Sequence, residues 1–238
     1  MAVAPATRSN LRKLHSLTGV VPVGLFLLEH FFTNSFALFG ADAFNDKVRF
    51  LTSLPYVVAL EIGLIGVPLA FHAVLGVAIW WQSRSNVSSY GYFRNWMFFL
   101  QRVTGVFLVG FIAVHVVKTR LSGVAADEMF QHMQGYLSSP LWAAFYAIGV
   151  LSASFHFGNG LFTFGISWGL LPGVRSQRWA QWACMAVFAG MSFVGLNSIL
   201  AFRGQPVEIF NKKEPTRGVR TGSKPTAHAP ARSEAARR

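Results

Sequence analysis

Charge is what this sequence has least of. Asp, Glu, Lys and Arg make up only 13% of its 238 residues, and just nine of those are acids. Soluble domains carry about 25% charged residues, so the chain is not composed like one. Cysteine is nearly absent too. The single Cys184 excludes a disulfide framework, a thiolate metal cluster and a C-x-x-C-H haem attachment, and within its apolar stretch it reads as core or lipid-facing filler. In place of charge stand 53% hydrophobic residues, with 23 Phe and 7 Trp. This is the composition of a membrane protein. The net charge of +12 does not imply nucleic-acid binding, because nine of the 21 basic residues lie from Arg203 onward and most others flank apolar runs.

Five apolar runs are long enough to span a bilayer as helices: Leu17–Leu38, Tyr56–Trp81, Met97–Val117, Leu141 to about Leu170, and Trp179–Phe202. The first is too long for a signal-peptide core and contains Glu29 and His30, so it reads as a retained span. Residues 1–16 form a polar, basic N-terminal segment, 17–203 the membrane domain, and 204–238 a Pro-, Ala- and Arg-rich tail expected to be disordered. Lys and Arg near the spans place the N-terminus and the loops at 82–96 and 171–178 in the cytoplasm. Five spans then put the basic tail outside, which runs against the same rule. The stretches at 40–55 and 119–140 read as outer loops, with His132 in the second and His228 in the tail expected to be solvated.

Four spans each hold one histidine, and an ionisable group at membrane depth needs a partner or a task. His30 lies ten residues before Gly40 and His115 eight before Gly123, about 12–15 Å below the outer ends at the α-helical rise. His72 lies seventeen residues past Pro55 and His156 sixteen past Pro140, about 24–26 Å in. The histidines therefore fall at two levels, each shared by alternate spans. Alternate helices of an up-down bundle face each other across its core, so each pair is placed to supply both axial ligands of a b-type haem. The expected fold is an all-α membrane protein of five transmembrane helices, the first four an up-down bundle around two stacked b haems. Arg12, Lys13 and Arg102 lie near the inner surface, where haem propionates want cations, and His15 beside them reads as interfacial or as a propionate or partner contact. Pro68, four residues before His72, is expected to bend the second span.

Several strings are long and specific. R-K-L-H-S-L-T-G near the start, L-P-x-x-x-A-L-E before His72, R-N-W-M-F-F-L-Q-R-V-T-G before His115, F-H-F-G-N-G at His156 and the later R-S-Q-R resemble the cytochrome b subunit of type B succinate dehydrogenase/fumarate reductase. The resemblance covers residues 10 to about 203. It implies an inner, proximal haem on His72 and His156 and an outer, distal haem on His30 and His115. It also implies a flavoprotein and an iron–sulfur subunit on the cytoplasmic side of a bacterial cytoplasmic membrane, and a quinone, typically menaquinone, near the distal haem. Glu61 counts to the level of the outer pair, where a carboxylate either passes the protons of quinone chemistry or pairs with an outer-loop group; Glu29 is its rival. Some family members carry a glutamate two residues before the fourth-helix histidine; here that position is Ser154, so that proton path is not carried over.

The function expected is that of the membrane-anchor subunit of succinate:quinone oxidoreductase in the respiratory chain and tricarboxylic acid cycle, moving electrons without itself binding the dicarboxylate. Two alternatives stay open: the cytochrome b subunit of a membrane hydrogenase or formate dehydrogenase, and a transporter using buried His and Glu for a metal or proton. The last expects ligands clustered at one level.

Overall fold

The first span begins earlier than its apolar run. In the structure, a computed structural model that describes residues 5–83 and 85–206 with side chains from Ser9 on, helix α1 (Pro5–Val20) is already formed within the polar N-terminal segment. Arg84 and the tail from residue 207 onward, His228 included, lie outside the described residues. Pro22 has no N–H to give back to the preceding turn, so the chain breaks at Val21 and resumes as α2 (Pro22–Ser35). A 3₁₀ turn over Phe36–Phe39 closes the span at Gly40, whose φ of +99° suits glycine.

The second span is composite. Tyr56, at φ +58°, turns the chain into α4 (Val57–Leu60), which passes into a π-helical segment over Glu61–Gly66 and then α5 (Val67–Trp81). Pro68 sits in the first turn of α5, and the wide turn of the π segment lies just outward of it. Helix α6 (Phe93–Lys118) is the third span, and it begins four residues before the apolar run. The fourth and fifth spans are α8 (Pro140–Ser167) and α9 (Val174–Phe202). All five are long and apolar enough to cross a membrane.

The two outer stretches are not plain loops. Ala41–Thr52 forms α3 and Met129–Ser138 forms α7, entered through a 3₁₀ turn at Ala126–Glu128. Their polar residues concealed the amphipathic spacing that turns Phe44 and Asn45 of α3, and Phe130, Met133 and Leu137 of α7, toward the interior. Phe44, Phe130 and Phe202 meet ring to ring at 5.0–6.1 Å, so the best-packed core is a cap at the outer end. Asn45 pins that cap: its Oδ1 accepts from the Phe130 N–H at 2.9 Å and its Nδ2 donates to the Asp127 carbonyl at 2.5 Å.

The N-terminus and the two short loops share the opposite, inner end. Trp168 Nε1 donates to Ser16 Oγ at 3.1 Å, and Arg94 donates to Gln177 at 3.0 Å. Packing within the bundle is lopsided. About two fifths of the central window is buried in the fourth and fifth spans (39% and 44%), against 11%, 0% and 6% in the first three. Small residues let α8 and α9 approach closely, with Gly158 against the Cys184 carbonyl and Phe188.

Candidate functional site

The four membrane histidines meet in the couples expected from depth. His72 on α5 and His156 on α8 bring ring centroids to 6.1 Å with planes at 86°. His30 on α2 and His115 on α6 approach to 5.6 Å at 83°. No couple joins the two levels.

At the inner couple both rings are anchored from behind. His72 Nδ1 donates to the His15 carbonyl at 2.9 Å, and His156 Nδ1 donates to the Gln101 carbonyl at 3.1 Å. A carbonyl only accepts, so each Nδ1 carries the proton and each Nε2 keeps the lone pair that binds a metal. Gln101 holds His156 once more and is itself held: its Nε2 donates to the His156 carbonyl at 3.0 Å, while its Oε1 accepts from Asn159 Nδ2 at 2.8 Å. Asn159 is 2% exposed, so this clasp is sealed from the surroundings. Glycines admit the rings: a Cβ on Gly105 would stand 2.9 Å from His156 Cε1, and one on Gly19 would stand 2.8 Å from His72 Nδ1.

The outer couple is held differently. Asn34 Nδ2 lies 3.3 Å from His30 Nε2 and donates to the His30 carbonyl at 2.8 Å. His115 stacks on Phe111 at 5.9 Å and meets the edge of Tyr146 at 5.8 Å. Its Nδ1 is buried without a hydrogen-bond partner, as is Tyr146 Oη. Phe107 stacks in turn on Phe111 at 6.1 Å, so aromatic rings on α6 run from the outer couple toward Gly105 at the inner one.

This donor set suits a porphyrin iron. Each level offers two opposed neutral imidazoles and no thiolate, and polar atoms lie ready at its margin. One of these is Arg102 Nη1, buried and unpartnered while its guanidinium covers the Phe98 ring at 3.3 Å. Arg12 is exposed and within electrostatic reach of Arg102, and Lys13 lies over Trp168 at 5.8 Å. His15 departs from its interfacial reading. Its ring stacks on His72 at 4.0 Å and 10°, because the helix begins early enough to carry residue 15 into the bundle.

Of the two carboxylates, Glu61 takes Arg120 Nε at 2.9 and 3.0 Å on its two oxygens, joining the outer ends of spans two and three. This is the partner anticipated in an outer loop. Its carboxylate holds the Arg120 guanidinium above its ordinary pKa. Glu29 accepts from Thr33 Oγ1 at 2.6 Å. Ser154 is fully buried and its hydroxyl has no partner. His132 is not simply solvated: it is half-buried, and its Nε2 donates to the Lys118 carbonyl at 2.8 Å. Gln101, Asn159, Asn34 and Arg120 were not singled out from sequence. Gln101 and Asn159 were present in the strings flanking His115 and His156, but polar residues that position a ligand carry no spacing signal of their own.

The chain is similar to proteins of known kind. A family model described as the succinate dehydrogenase/fumarate reductase transmembrane subunit matches residues 85–194. The succinate dehydrogenase cytochrome b558 subunit of Bacillus subtilis (strain 168) is 47% identical over 192 residues, covering 80% of this chain and 95% of that protein.

Proposed function

The chain belongs to the succinate dehydrogenase/fumarate reductase transmembrane cytochrome b family, and on that premise we propose that it binds two b haems, one between His72 and His156 and one between His30 and His115, and conducts electrons between the iron–sulfur subunit and a quinone. As the membrane subunit of that enzyme it is part of a complex with a flavoprotein and an iron–sulfur protein. The observation that carries the proposal is the meeting of the four imidazoles in two couples at 6.1 and 5.6 Å.

The bound haems supply one-electron carriage along the bundle axis. The chain's own residues do the rest. The His15 and Gln101 carbonyls fix the tautomer and rotation of the inner ligands, which also makes them better donors. Arg102, whose Nη1 is buried and unpartnered, and Arg12 would pair with the inner propionates and neutralise them. Phe107 and Phe111 stack on one another along α6 between Gly105 and His115.

Among the described residues every acid lies on the outer half, and the inner end carries Arg12, Lys13, Arg94, Arg175 and Arg178. That asymmetry supports a cytoplasmic inner end in a bacterial membrane, with the iron–sulfur partner docked there. Quinone, of the menaquinone type, then reacts near the outer couple. Glu61 and Glu29 are the carboxylates at that level able to exchange protons with it. Membership of the family favours this reading over the cytochromes of hydrogenase or formate dehydrogenase, and the two-level separation of the imidazoles counts against a transporter.

The test is haem content and spectrum of the purified complex carrying single alanine substitutions. His72→Ala and His156→Ala remove the same haem, and His30→Ala and His115→Ala remove the other. Loss of one and the same haem from His30→Ala and His72→Ala, or a wild-type complex without a b-type spectrum, overturns the proposal.

A further inference from the structure

The two halves of the four-span bundle repeat one another. Residues 14–24, LHSLTGVVPVG, and residues 100–110, LQRVTGVFLVG, agree at six of eleven positions, including Thr18–Gly19 and Thr104–Gly105. The return helix of each half then carries F-H-x-x-x-G, at Phe71–Gly76 and Phe155–Gly160. Chance produces such matches among apolar helices; it does not also reproduce their contacts.

The contacts do repeat. The return-helix histidine donates to the carbonyl four residues before the T-G glycine, at 2.9 Å for His72 on His15 and 3.1 Å for His156 on Gln101. The threonine hydroxyl reaches that same carbonyl, at 3.0 Å for Thr18 and at 3.2 Å for Thr104, which shares its hydrogen with a shorter bond to the Leu100 carbonyl at 2.7 Å. The imidazole edge occupies the space a Cβ would need on Gly19 or Gly105. The residue supplying the carbonyl also packs its side chain on the second glycine: His15 Nε2 would be 3.1 Å from a Cβ on Gly76, and Gln101 Nε2 3.6 Å from one on Gly160.

We propose that the bundle is two copies of one haem-gripping unit, a helix with a T-G socket and a return helix whose histidine plugs into it. Thr18, Gly19, Thr104 and Gly105 are then equivalent positioning residues for the two inner ligands. The inference rests on the haem reading above and deepens it. Parallel helical repeats are related by an axis along the membrane normal. Such an axis presents equivalent imidazoles to opposite sides of one iron, which explains why each level takes one ligand from each half. Two of the differences between the copies bear on the grip. His15 stands where Gln101 does, and His30 lies eleven residues past Gly19 where His115 lies ten past Gly105, with the break at Val21 in between.

The experiment compares Gly19→Ala, Gly105→Ala and, as control, Gly110→Ala, where nothing stands within 4 Å of the added carbon, in the purified complex. Gly19→Ala and Gly105→Ala each lower the haem-to-protein ratio from two to one and abolish the same electron paramagnetic resonance signal, while the control keeps both haems. Should alanine block assembly, Thr18→Val and Thr104→Val frees the carbonyl from its second donor and strengthens its bond to the imidazole. The inner haem's midpoint potential then falls in both variants, and serine at either position restores it. Two unaltered haems in either glycine variant, loss of different haems, or a potential shift in only one threonine variant overturns the inference. A wild-type complex lacking haem overturns the functional proposal instead.

Discussion

Replacing Asn45 with alanine should loosen the outer cap without touching any histidine. Asn45 is 4% exposed and joins α3 to the start of α7 through the Phe130 N–H at 2.9 Å and the Asp127 carbonyl at 2.5 Å. Two such bonds are worth about 1 kcal/mol each net, and a buried N–H left without a partner costs about 1–3 kcal/mol. Alanine leaves the Phe130 N–H buried, so we expect a loss of roughly 2–4 kcal/mol, confined to the cap. At 1.4 kcal/mol per decade this is about a 30- to 1,000-fold rise in the population of opened cap. The assay is limited proteolysis of the purified complex, followed by mass spectrometry of cuts within residues 40–55 and 119–139. Where closing outruns cleavage, the cutting rate tracks the opened population and rises by the same factor. Asn86→Ala, in an exposed inner turn, is the control. Equal cutting of wild type and Asn45→Ala, or an equal rise in the control, refutes the reasoning.

Arg102→Met removes a cation beside the inner site, which favours the oxidised haem there. Redox titration should show the inner midpoint potential lowered by on the order of tens of millivolts with the outer one unmoved; no change would take Arg102 away from the propionates. Glu61→Gln should slow quinone-coupled turnover several-fold while both haem spectra stay intact, and unchanged turnover would leave the carboxylate with only its link to Arg120. That link is itself weak, because Arg120 and Glu61 side chains are 49% and 34% exposed; a double-mutant cycle on thermal stability should give a coupling below about 1 kcal/mol. Gly158→Ala places a carbon 2.8 Å from the Cys184 carbonyl, which cannot yield without moving α9. A cost of about 1–3 kcal/mol is expected, read as a lowered thermal midpoint of the complex, and a midpoint equal to wild type would show that α9 moves freely.

The spans and the pairing of the histidines were legible because hydropathy and helical rise are properties of a single helix. Counting from Gly40, Gly123, Pro55 and Pro140 sorted His30 with His115 and His72 with His156, and the rings meet in that order. What required two helices at once was not legible. His15 looked interfacial beside Arg12 and Lys13, yet it stacks on His72 from another span. Asn45 and Gln101 act through partners 85 and 55 residues away, a relation no local pattern encodes. Helices α3 and α7 were hidden by mixed polarity, which suits elements with one face on the cap and the other at its surface.

The wide turn at Glu61–Gly66 bears on any helical wheel drawn through the second span. A π segment is one residue inserted into an α-helix, and one residue turns everything beyond it by about 100°. Positions outward of Gly66 therefore face a different neighbour from the one projected from His72, which brings Glu61 round to Arg120. Deleting a single codon here would swing Tyr56 to Leu60 onto another side of the bundle while leaving His72 where it is.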